Sequence, residues 1–138
     1  MVDSGSFRWT DNYKVNIATL DEQHRQLFEA VNALDLALRM GDGMVAIDQV
    51  LDKMVDYIGV HFNSEEALME QHNFPGLSGH KAQHEMFRET IAGFLDSHRS
   101  GRQGVPVSLM LFMQTWLKTH VLKTDKLYSA FLNARGVR

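Results

Sequence analysis

Four stretches of this chain carry metal-ligating side chains at spacings that a helix can use: His24, His61-x-x-x-Glu65, His80-x-x-x-His84 and His120-x-x-x-x-Asp125. Imidazole and carboxylate are donors that iron, manganese and zinc all accept. Five of the seven histidines take part, and the expectation is a buried dinuclear centre. Residues four apart differ by about 40° around a helix, so His61 and Glu65 share a face, as do His80 and His84. Glu66 is rotated a further 100° or so, which leaves Glu65 as the expected ligand. His120 and Asp125, five apart, lie about 140° apart on an ideal helix and cannot both point inward. The spacing therefore predicts a break, bulge or kink between Val121 and Asp125.

The segments carrying these ligands read as helices. Glycine and proline interrupt the chain at Met40–Gly43, Asn73–Gly76 and Ser100–Pro106, leaving four long stretches. Leu27, Phe28, Val31, Leu34 and Leu38 recur with helical period in the first, which opens on Thr19-x-x-Glu22, a pattern that suits a capping box. The same period runs through Ile47, Val50, Leu51, Met54, Val55, Ile58 and Phe62, then His80, His84, Phe87, Ile91, Phe94 and Leu95, and finally Leu109, Phe112, Met113, Trp116 and His120. A short helix is expected from about Asp125 to Leu132. The fold class that follows is all-α: an up-down-up-down four-helix bundle over residues 19–132, an extended arm over residues 1–18 and a short C-terminal helix. The arm carries Phe7, Trp9, Tyr13, Val15 and Ile17. Such a bundle brings the histidines to one level. His24 lies 16 residues before Met40, His61 17 after Met44, His84 16 before Ser100 and His120 14 after Pro106. At about 1.5 Å per residue, all four sit roughly 21–26 Å from one end. His72 and His98 fall about 16 and 21 Å from that level and are expected at the surface or the bundle end.

At 138 residues the chain has room for one domain with a real core, spanning 1–138. A net charge of −3 with both signs interspersed offers no basic stripe for nucleic acid or an acidic membrane. The apolar runs are too short to span a bilayer. Met1–Asn12 has no apolar core and no cleavage site of a secretory signal, so the expected location is the cytoplasm. The absence of cysteine excludes disulfides, thiolate zinc sites, iron–sulfur clusters and covalently attached haem. The eight methionines suit core filling.

Taken together, Trp9, Tyr13-x-Val15, Leu20-Asp21-Glu22-Gln23-His24, His61-Phe62-x-x-Glu65-Glu66, His80-x-x-x-His84, Trp116-Leu117-x-x-His120 and Asp125-Lys126-x-Tyr128 resemble the hemerythrin family, in particular its prokaryotic single-domain form. The likeness covers nearly the whole chain; Asn16 stands where relatives usually have glycine. The resemblance implies two non-haem iron ions with a bridging oxo or hydroxo group. One iron would take His80, His84 and His120, the other His24 and His61, with Glu65 and Asp125 bridging. The second iron then keeps one open position, where dioxygen would bind end-on and leave again. Phe62, Trp116, Leu117 and Val121 stand beside the ligands and suit the dry pocket that reversibility needs. Tyr128, which the family shares, is a candidate to orient a ligand.

The function expected on this reading is dioxygen storage, delivery or buffering, with no catalytic residues and no enzymatic turnover. Two other readings compete. In one, the chain is an oxygen or redox sensor signalling to a partner, though no effector domain accompanies the bundle. In the other it is a di-iron oxidase or peroxidase, which its imidazole-rich donor set disfavours, since ferritin-like enzymes use several glutamates with Glu-x-x-His pairs. An oxygen-consuming enzyme or a signalling partner would remain to be identified.

Overall fold

The computed structural model describes residues 7–41 and 43–138; residues 1–6 of the expected arm, and Asp42 in the first interruption, lie outside the described residues. Helix α1 spans Ala18–Arg39, α2 Met44–Gln71, α3 Leu77–Arg99 and α4 Val105–Thr119. A π-helical turn, His120–Thr124, leads without interruption into α5, Asp125–Ala134. Each of α1 and α3 packs against both α2 and α4, which closes the antiparallel four-helix ring expected from the alternating long segments and short connections. Among the described residues there is no strand, and no helix is long and apolar enough to cross a membrane.

The periodic apolar residues form the core. Leu27, Phe28, Val31 and Leu34 of α1, Leu51, Met54, Ile58 and Phe62 of α2, Phe87 and Ile91 of α3 and Leu109, Met113 and Leu117 of α4 are all buried in one cluster. Val55 departs from the expectation; it is 38% exposed on the outer edge of α2. At the start of α4, Gly104 adopts φ +80°, a conformation that costs glycine little. Pro106 follows in the first turn, where a missing N–H is no loss.

The start of α1 corrects one expectation. The helix begins at Ala18 with Ile17 at its cap position, and no side chain caps it, so Thr19 and Glu22 do not form a capping box. Burial of Val15 and Ile17 sets the direction in which the chain arrives, and that places Thr19 already inside the first turn. Glu22 pairs with Arg25 instead, while Asp21 Oδ1 reaches back 2.7 Å to accept the Val15 N–H. Asn16 lies between, at φ +60°, a region that asparagine tolerates better than most residues.

The arm is fastened to α5. Ser129 Oγ donates to Val15 O at 2.7 Å and Asn133 Nδ2 to Asn16 O at 3.2 Å, over a second apolar cluster of Val15, Ile17, Leu20, Met69, Tyr128 and Leu132. Further back, Phe7 stacks on Phe28 at 4.1 Å, and Trp9 meets Phe28 edge-on at 5.5 Å. The arm thus covers the α1 side of the bundle at the level of His24 and ties it to the helix that carries Asp125.

Candidate metal centre

All seven side chains singled out from the sequence converge in the bundle interior, and each is at most 3% exposed. Their donor atoms fall into two groups, each within 4.8 Å: His24, His61, Glu65 and Asp125 in one, and Glu65, His80, His84 and His120 in the other. His72 and His98 stay outside. His72 caps the end of α2, and His98 Nε2 pairs with Asp48 Oδ1 at 2.8 Å at the far end of the bundle.

The π turn is what admits Asp125. Its backbone N–H donates to His120 O, five residues back, so the wider turn aligns positions that an α-helix would separate. Gln83 on α3 holds this distortion from both ends, because its Oε1 faces His120 Nδ1 at 3.1 Å and accepts from Thr124 Oγ1 at 3.1 Å.

Each carboxylate divides its two oxygens between the two histidine groups. Glu65 Oε2 lies 3.2 Å from His24 Nε2 and 3.1 Å from His61 Nε2, while Oε1 lies 3.2 Å from His84 Nε2 and 3.6 Å from His80 Nε2. Asp125 Oδ2 lies 3.0 Å from His24 Nε2, while Oδ1 lies 3.1 Å from His80 Nε2 and 3.0 Å from His120 Nε2. Each carboxylate thus offers one oxygen to each histidine group. Most of these spacings are short enough for one cation to touch both donors.

The outward nitrogens decide how the inward ones are used. His61 Nδ1 faces Gln23 Oε1 at 2.9 Å and His84 Nδ1 faces Glu66 Oε2 at 2.7 Å. Gln23 is oriented by a relay in which its Nε2 donates to Ser64 Oγ, whose hydroxyl donates to Val60 O. An oxygen acceptor at Nδ1 requires the proton there, which leaves the neutral ring a lone pair at Nε2. In His61, His84 and His120 these lone pairs point at carboxylate oxygens. Acceptors facing acceptors in a dry interior are unfavourable until a cation stands between them. His84 Nε2, Glu65 Oε1 and both Asp125 oxygens indeed have no hydrogen-bond partner. The donor set fits a pair of metal ions.

Without metal, protons take part of that role. Burial alone would push the His24 imidazolium down, but the Asp125 and Glu65 carboxylates, 3.0 and 3.2 Å away, outweigh it and hold its pKa at about 9. His80 is held at about 9 by the same balance. Burial keeps His61 below its ordinary value. Glu65, despite its burial, is held well below the usual carboxylate range by the His61, His24 and His80 imidazoles around it. Burial and Glu65 would raise Asp125, yet His120 and His24 bring it below as well. Tyr128 goes the other way, since burial and the nearby Asp125 and Glu65 charges raise it well above its ordinary value. It therefore remains a phenol, donating to Glu65 Oε2 at 2.5 Å.

Aromatic rings wall the centre. Phe62 stacks on His84 at 3.7 Å and Trp116 on His120 at 4.2 Å, while Leu117 and Val121 are buried beside them. Sequence reasoning did not find Gln23, Glu66 and Gln83. Gln23 and Glu66 stand within the ligand-bearing motifs and Gln83 adjoins His84 in the chain, but position along the chain does not say which ring a side chain reaches across helices.

The fold and site together define a class: a four-helix bundle whose interior presents two facing histidine–carboxylate cages able to hold metal. The family model described as the hemerythrin HHE cation binding domain matches residues 15–132, and this chain belongs to the hemerythrin family. It is 32% identical over 127 residues to a bacteriohemerythrin of Methylococcus capsulatus, covering 91% of this chain and 96% of that one. A bacteriohemerythrin of Stenotrophomonas maltophilia is 31% identical, over 88% of this chain and 78% of its own length. A crystal structure of wild-type hemerythrin superposes with a TM-score of 0.80 at 32% identity, covering 88% of this chain and 94% of that one.

Proposed function

We propose that this protein binds dioxygen reversibly at a pair of non-haem iron ions and acts as a carrier or buffer of oxygen rather than as an enzyme. The observation that carries this reading is the unequal division of imidazoles around two shared carboxylates. His80, His84 and His120 would hold one ion, His24 and His61 the other, and Glu65 and Asp125 would bridge them. With one solvent-derived oxo or hydroxo bridge, the donors number six on the first ion and five on the second. An octahedral preference then leaves one position free beside His24 and His61. A pair of ferrous ions held by these seven residues would supply the reducing equivalents that reversible dioxygen binding needs.

The remaining roles belong to the chain. Gln23, Glu66 and Gln83 fix the ring orientation of His61, His84 and His120, which sharpens the geometry of each ligand. Tyr128 steadies Glu65 through its hydroxyl. Phe62, Trp116, Leu117 and Val121 keep water from the free position, so that the bound gas leaves as dioxygen. A donor set dominated by neutral imidazole suits reversible binding better than strongly oxidising chemistry.

Reconstitution with ferrous iron under argon, followed by cycles of air and argon, tests this. A visible charge-transfer band should appear with air and vanish under argon over several cycles. Irreversible bleaching on first exposure, or steady oxygen consumption, would overturn the carrier reading.

A further inference from the structure

One helical turn below the cage, the seam between α2 and α3 is open. Ile58 precedes His61 by three residues on α2, and Phe87 follows His84 by three on the antiparallel α3. Both therefore lie about 4.5 Å along the axis from the ligands. Between them is an apolar groove of about 210 Å³, walled by Ile58, Gly59, Phe87, Ile91 and Ala92, with Arg88 at its rim. Its floor continues into the rings beneath the cage. Phe87 lies 5.5 Å from Phe62 and 4.1 Å from Trp116, and Phe62 stacks on His84. The Arg88 guanidinium lies over Phe62 at 5.1 Å and 3.9 Å from Glu66 Oε2.

Gly59 keeps the groove open. A β-carbon there would meet nothing within 4 Å, and its φ is not positive. Neither a turn nor close packing calls for glycine, which is otherwise among the least favourable residues inside a helix. Its missing side chain leaves this wall of the groove unfilled, over the buried Ile58 and Phe87.

We propose that this groove is a weak binding site for dioxygen and the path by which it reaches the cage, an inference that rests on the oxygen-binding reading above. A neutral diatomic gas enters an apolar space without leaving any polar group unpaired, whereas ions and polar solutes lose hydration there and gain nothing from these walls. The groove is also smaller than the roughly 300 Å³ at which pockets for larger organic ligands begin.

Two measurements decide it. Crystals of the iron-loaded protein under xenon should show the gas between Ile58, Gly59 and Phe87. In solution, Gly59→Leu and Ala92→Leu fill the groove from opposite walls, so misfolding of one does not remove the test. Each should slow dioxygen association and dissociation by the same factor, about five-fold or more, with an unchanged equilibrium constant and unchanged iron content. A constriction in a path crossed in both directions leaves its two ends at the same free energy. Unaltered rates in both leucine variants, a changed equilibrium constant, or xenon absent from the groove would each overturn the proposal. A parent protein that takes up no oxygen would overturn the functional reading itself, and the path with it.

Discussion

Filling the metal-free cage with divalent ions at pH 7 should expel about two protons that come from the protein itself. They are the protons on His24 and His80, each held with a pKa of about 9, and imidazole ligates metal only through a deprotonated nitrogen. At pH 7 each group lies about two units below its pKa, so the combined affinity for the pair of ions is lowered about 10⁴-fold, on the order of 5 kcal/mol. The rise of affinity with pH should be steeper by about two decades per pH unit between 7 and 9 than above 9. Calorimetry in buffers of different protonation enthalpy, under argon, counts the protons. A solvent-derived hydroxo bridge adds its own proton at any pH, so the decisive quantity is the difference between pH 7 and pH 10. That difference should be about two. Equal release at both values would refute the claim that Glu65 and Asp125 hold protons on the opposing histidines.

The same shifts fix the sign of the stability change. His24 and His80 titrate above the ordinary 6.5 of histidine, so their stabilisation of the metal-free protein is complete below pH 6.5 and is lost as pH rises through 9, on the order of 3 kcal/mol for each. Glu65 and Asp125 are shifted down, so their contribution is present above the ordinary carboxylate range and is lost as pH falls below it toward their depressed values. The denaturation midpoint of the metal-free protein should therefore decline from pH 6.5 to 9.5, while that of the loaded protein holds.

Three substitutions extend the test. Gln83→Leu removes the acceptor shared by His120 and Thr124 and should lower metal affinity about 10- to 100-fold in a chelator competition; unchanged affinity would mean the π turn holds His120 unaided. Tyr128→Phe takes the phenol from Glu65 and should cost the metal-free protein about 1.5–3 kcal/mol in denaturant, an effect that would be missing if the hydrogen bond contributed nothing. Leu117→Ala should speed oxidation of the ferrous protein in air more than it lowers iron content, and an unaltered oxidation rate would remove Leu117 from the pocket wall.

Much of this was legible from one chain. The 3.6-residue period located four helices, and the glycine and proline clusters separated them, because both signals depend on local backbone geometry. The helical repeat also placed His61 with Glu65 and His80 with His84, and it required a distortion after Val121, which the five-residue π turn supplies. The Thr19-x-x-Glu22 pattern misled for a complementary reason. A cap depends on how the preceding chain arrives, and here the burial of Val15 and Ile17, far from any local preference, decided that.

What the residues determined alone was therefore the inventory: which donors exist, on which helical face, and at what depth. Only the packed bundle decided the pairing across helices. It divided the oxygens of Glu65 and Asp125 between the two histidine groups, and it set Gln23, Glu66 and Gln83 behind the rings. It also brought Tyr128 to Glu65 and left the seam at Gly59 open. Angle and rise within one helix follow from a fixed repeat, but contacts between helices depend on their relative rotation and on which side chain fills each gap, and those are settled together when the core closes.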